Sequence, residues 1–149
     1  MNEHKGLALA LECLVEAPRP QVFSLLSEPE WLAKWWGPAG FTVPAATTDF
    51  RVGGSYRFSM QPPKGELFHL AGEFLEIEPP VRLVYTFRWE EPAPDDRQTV
   101  VVLLLEEEAN ATRIFLEQRS FATEERLELH RAGWTESFAK LRELLSSLQ

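Results

Sequence analysis

Residue types able to do proton or nucleophilic chemistry are few in this sequence. Its three histidines, His4, His69 and His130, lie far apart along the chain. His69 falls in the middle of an expected strand and His130 on a C-terminal helical segment, so the two can converge with Glu73 across a sheet as a general acid–base pair. The commoner fate of isolated histidines is a separate hydrogen bond for each, or solvent. Cys13 lies near the start of a strand with no evident activator, and no Ser-His-Asp or Cys-His order is legible. No His-x-x-x-His or Cys-x-x-Cys spacing is present, so neither a metal nor another cofactor is expected. Arg51, Gly53, Gly54 and Arg57 resemble an anion cradle. Without a strand–loop–helix context they read instead as a β-turn with an arginine on each strand.

The aromatic residues say more. Five Trp, ten Phe and two Tyr occur in 149 residues. Tyr56 and Phe58 alternate with Arg57 and Ser59, and Tyr85, Phe87 and Trp89 alternate with Thr86 and Arg88, which gives two strands an aromatic face. With that face turned inward, the candidate cavity wall is Trp36, Tyr56, Phe58, Tyr85, Phe87, Trp89, Trp134 and Phe138. Plain core filling is the competing use of these rings. The polar candidates are Arg57, His69, Glu73 and Arg88, with the phenol of Tyr85, according to which strand faces point in. Trp35 and Trp36 are adjacent on a short helix, so at most one of them is expected to point fully inward.

These residues need elements to position them. Leu7, Leu9, Leu11, Cys13 and Val15 recur with a period of two, a strand buried on one face, although Leu14 breaks the pattern. Pro18 and Pro20 suit only the first turn of a short helix. Ser27 and Glu30 form a capping-box pair, which predicts a second helix from about Glu28 to Trp35. Phe41–Phe50, Tyr56–Met60, Leu67–Ile77, Leu83–Trp89, Thr99–Leu105 and Thr112–Arg119 read as strands joined by short turns. Gly72 reads as a bend in its strand. The stretch Glu90–Arg97, with two prolines and four acids, reads as a solvated hairpin tip. Thr123 can cap a long helix whose stripe is Trp134, Phe138, Leu141, Leu145 and Leu148. Gly133 interrupts that helix at a cost of about 1 kcal/mol, and close backbone packing is the expected compensation. Short loops imply an antiparallel meander, and the long helix offers the face that it must bury. The expected fold is α+β: a curved antiparallel sheet of about seven strands around a C-terminal helix, with two short helices after the first strand.

Length and charge set the class. A chain of 149 residues suits one domain, 1–149, burying roughly 70% of its extended surface. Fifteen basic against 23 acidic residues give a net charge of −8, which repels nucleic acid and anionic membrane surfaces. The longest apolar run, Val100–Leu105, is far short of a bilayer span. The N-terminal Leu7–Leu11 segment is interrupted by Glu12 and lacks a cleavage site. With a lone cysteine, a cytoplasmic location is expected.

Several segments in order resemble the activator of heat-shock-protein ATPase homologue-like family, within the helix-grip, START-like (SRPBCC) superfamily. They are Ala17-Pro18 before Val22-Phe23, Glu28-Pro29-Glu30, Trp35 to Phe41, Phe50 to Phe58, Gly72, Pro79–Leu83, and His130 with Gly133-Trp134 ahead of Phe138 and Leu141. The resemblance implies a deep cavity between sheet and C-terminal helix, a stress-response context, and a monomer or weak homodimer. Cys13 departs from the arginine common at that place, and Glu106–Ala111 lacks the usual glycines. The domain is expected to stand alone, without the additional N-terminal domain of the eukaryotic co-chaperone.

Three functions fit. The leading one is a non-catalytic binder of an apolar or amphipathic small molecule in that cavity. The others are a protein-interaction module with a chaperone or other protein partner, and a cyclase- or hydrolase-type enzyme using the same cavity.

Overall fold

The computed structural model describes residues 7–148. Strand β1 (Leu7–Val15) leads into helices α1 (Arg19–Ser27) and α2 (Pro29–Trp35). Then follow β2 (Thr42–Thr48), β3 (Ser55–Gln61), β4 (Phe68–Glu78), β5 (Arg82–Trp89), β6 (Thr99–Glu108), β7 (Ala111–Phe121) and α3 (Glu124–Leu148). All pairings are antiparallel, in the order β1-β7-β6-β5-β4-β3-β2. The hairpins β2 to β7 make the meander, and β1 closes beside β7, leaving β1 and β2 as the edges. The sheet curves around α3, which is the helix-grip arrangement.

Local chemistry sets the ends of the elements. Thr123 Oγ1 accepts the backbone N–H of Arg126 at 3.1 Å, the N-cap bond its position predicts. The expected capping box does not form. Ser27 ends α1 and donates its hydroxyl to Phe23 O at 2.7 Å, and Glu28 caps α2 through its backbone carbonyl. A single residue joins the two helices, so Ser27 is claimed by the first before it can cap the second.

The core lies between α3 and the inner sheet face. Trp134, Phe138, Leu141 and Leu145 are buried, while Leu148, the last residue of the helix, is exposed. Gly72 has a packing reason rather than a bend. A Cβ there would lie 2.6 Å from the Tyr56 ring and would collide with Thr86 O, the carbonyl to which the Tyr56 hydroxyl donates at 2.6 Å. The irregularity in β4 comes later, between Phe74 and Glu76. Among the described residues, no helix is long and apolar enough to cross a membrane. His4 lies outside the described residues.

Candidate functional site

The inner face of the sheet is built by alternation. Tyr56, Phe58 and Met60 on β3, and Leu83, Tyr85 and Phe87 on β5, are all buried. Trp36 and Trp134 close over them, with ring centroids 5.0 Å apart, and Trp36 meets Phe58 edge-on at 5.1 Å. Both members of the Trp35–Trp36 pair turn inward, contrary to the expectation from helical spacing. Helix α2 ends at Trp35, and Trp36 is extended (φ −63°, ψ 142°), so the 100° step between successive helical residues does not apply to it. Trp35 is fully buried and donates Nε1–H to Leu25 O at 2.8 Å.

Trp134 is fixed by a buried polar chain. Its Nε1–H donates to Gln118 Oε1 at 2.8 Å, and Gln118 Nε2 donates to Thr99 Oγ1 at 2.8 Å. The Thr99 hydroxyl donates in turn to Phe87 O at 3.4 Å. This chain satisfies a fully buried glutamine and sets the plane of the indole.

Between the sheet and the N-terminal half of α3 lies a pocket of about 420 Å³. Of the eight aromatic residues expected to line a cavity, Trp36, Phe87, Trp89 and Trp134 meet there. Tyr56, Phe58 and Tyr85 surround instead a separate void of about 10 Å³, which is room for about one water. Burial drives both phenols well above their ordinary pKa and keeps them neutral. Phe138 lines neither space and packs between Trp35 and Trp134.

The polar candidates do not reach the pocket. Arg57 pairs across the ladder with Ala71, and Ala71 with Arg88, so the alternation puts both arginines on the outer face, where they are exposed. Glu73 is exposed there as well. Arg57 grips Glu90 at 2.7 and 2.9 Å, which holds that carboxyl below its usual range. The His69 ring lies 3.4 Å from Glu91. His69, Glu90 and Glu91 bring three ligand-type atoms within 4.8 Å, but the Arg57 ion pair already occupies Glu90. His69 and His130 therefore stand on opposite sides of the sheet and do not pair.

Residues that pattern reasoning passed over complete the pocket. Phe41, Met60 and Phe68 extend the apolar wall, and Leu129 stands exposed at the rim. A period of two along β4 puts Phe68 on the same face as Leu70, whereas Phe41, read as the start of a strand, stands in the loop ahead of β2. The acidic stretch is not a free hairpin tip. Asp95 and Asp96 both bind Arg126 of α3, at 3.0 and 3.3 Å, and Asp96 accepts the Ala93 N–H. Arg126 holds the Asp95 carboxyl below its ordinary value. The loop is thereby drawn onto the helix and supplies Glu91, Ala93 and Asp96 to the pocket. Gly133 lines the pocket without a close approach to justify it. A Cβ there would meet only Pro38 Cγ, at 3.7 Å, an ordinary contact.

His130 lines the pocket from α3, its ring 5.0 to 5.9 Å from those of Phe121, Phe87 and Trp89. Burial among these rings pushes its pKa down to about 4. Cys13 is buried in the core, where loss of water raises its thiol pKa, so it is a poor nucleophile.

A seven-stranded antiparallel sheet gripping a long C-terminal helix, with two short helices between β1 and β2, is the START-like fold of the SRPBCC superfamily. The family model described as Activator of Hsp90 ATPase homolog 1-like protein matches residues 16–146, and the chain belongs to that family. Its fold is similar to that of protein NE0264 from Nitrosomonas europaea, with 28% identity, TM-score 0.83 and 96% of each chain covered. It is similar as well to the AHSA1 protein SPO3351 from Silicibacter pomeroyi, with 28% identity, TM-score 0.82, and 96% and 100% covered. Protein CV1439 from Chromobacterium violaceum matches at 25% identity and TM-score 0.83, over 93% and 96% of the chains. No curated protein matches the sequence significantly.

Proposed function

We propose that the protein binds an apolar or amphipathic small molecule in the pocket between the sheet and α3, without transforming it, as a cytoplasmic protein. The observation that carries this reading is the pocket itself. At about 420 Å³ it falls within the range of small-molecule sites, and rings of Trp36, Phe41, Phe68, Phe87, Trp89 and Trp134 line it. Water in such a space has few partners, so an apolar ligand gains by displacing it. Nucleophilic catalysis would need a nucleophile and a base in contact. The Ser137 hydroxyl is given to Gly133 O, Arg126 is held by two aspartates, and His130 makes no hydrogen bond to another described residue.

The test is titration with the neutral fluorophore N-phenyl-1-naphthylamine. Binding is expected at micromolar affinity, about −8 kcal/mol, with quenching of tryptophan emission. Gly133→Phe projects a ring into the pocket and should abolish binding while the circular dichroism spectrum persists. Absence of binding to the native protein overturns the reading and moves a chaperone-type protein partner to first place.

A further inference from the structure

The polar side chains of the pocket narrow what it can hold. Among the described residues its lining carries two carboxylates, Glu91 and Asp96, and one guanidinium, Arg126. Arg126 already has its charge matched, since its Nε lies 3.0 Å from Asp95 and 3.3 Å from Asp96. Lys140, further along α3, is not among the lining residues. Its ammonium donates to the carbonyls of Trp36, Gly37, Pro38 and Phe41 at 3.0 to 3.4 Å. An anionic head group entering here would meet a guanidinium already paired with two carboxylates, in a lining of net negative charge. At partly buried distances that repulsion costs an affinity factor of roughly ten or more.

Among the titratable residues of the lining, His130 is the one without a hydrogen bond to another described residue. No described residue hydrogen-bonds to its ring, which faces the pocket from among Phe87, Trp89 and Phe121. Its depressed pKa leaves it neutral near pH 7, so the ring presents one N–H donor and one lone pair. Building on the small-molecule reading above, we propose that the pocket takes an uncharged aromatic molecule bearing a hydroxyl or carbonyl group, hydrogen-bonded to His130, and rejects anionic amphiphiles. The flat walls favour ring systems over flexible chains, because offset and edge contacts between rings add to the gain from burial. His130 is thus the specificity-determining residue of the site.

Three ligands of one shape test this at pH 7: naphthalene, 2-naphthol and 2-naphthoate, titrated by quenching of tryptophan emission. We expect 2-naphthol to bind about 3- to 10-fold tighter than naphthalene, the worth of one neutral hydrogen bond. We expect 2-naphthoate to bind at least about tenfold weaker than 2-naphthol. His130→Leu should cancel the preference, so that 2-naphthol and naphthalene bind the variant equally. Naphthoate binding as tightly as 2-naphthol, or a naphthol preference that survives in His130→Leu, overturns the proposal while leaving the small-molecule reading intact. Failure of all three to bind the native protein overturns both.

Discussion

The imidazole of His130 exchanges water for aromatic neighbours, and the cost of charging it there is a stability effect. Its pKa of about 4 in the folded protein lies below the ordinary 6.5. Between those values the unfolded chain holds a proton that the folded protein does not, so stability is lost as pH falls through this window and regained as it rises. The full shift corresponds to about 3 kcal/mol, reduced to about 1–2 kcal/mol by the ring's contact with solvent at the pocket. Urea unfolding at pH 7 and pH 4.5 should therefore show a smaller acid loss in His130→Leu than in the native protein. The carboxyls held low by arginine, Glu76, Glu90, Asp95 and Glu108, also lose stabilisation as pH falls. They do so below their ordinary values of 3.8 to 4.5, and in both proteins alike. Equal acid losses in the two proteins would place the ring in water and remove it from the aromatic cluster.

At the scale of elements, the connection from α2 to β2 decides whether a pocket exists. Residues 36–41 form one wall, and α3 holds them by two side chains one turn apart. Lys140 donates to four of their carbonyls, and Glu136 Oε1 accepts the Ala39 N–H at 2.9 Å. Along the sequence, Glu136 and Lys140 look like an ordinary i,i+4 surface pair. Only the folded chain shows that they serve a segment some hundred residues away. Gly37 in the same loop has φ +98°, a backbone conformation that strains any other residue, so the loop needs glycine at this turn. Lys140→Met should destabilise the protein by about 1.5–3 kcal/mol, the range for charge-assisted hydrogen bonds. It should also speed amide exchange at residues 37–41 and weaken N-phenyl-1-naphthylamine binding several-fold, while amides of β6 keep their protection. Unchanged exchange in the loop would mean that the ammonium is not what holds it.

At the scale of the whole molecule, what the sequence reveals and what it hides have physical causes. The antiparallel meander, the two short helices and the gripped C-terminal helix were legible, because each rests on a local period or a turn residue. The inward face of β3 and β5 was legible for the same reason. Depth was not. Alternation says that Tyr85 and Trp89 share a face, but not that Tyr85 seals a core while Trp89, four residues along, borders open space. That difference comes from the α2–β2 connection and the acidic loop, which no period describes. Phe138 shows the distinction most sharply. It continues the stripe of Trp134, yet it packs against Trp35 at 6.4 Å and Trp134 at 5.6 Å and lines no pocket. It joins α2 to α3 over the sheet, so truncating it should loosen the whole grip rather than the site. Phe138→Ala is expected to cost about 3–5 kcal/mol by urea denaturation, for lost burial plus a cavity that rigid indole neighbours cannot fill. Gly133→Phe, on a different face of the same helix and opposite open space, should change stability far less and binding far more. A loss below about 1 kcal/mol for Phe138→Ala would mean that the ring is not part of the packed core. The division between sealed core and open pocket would then have to be drawn elsewhere along α3.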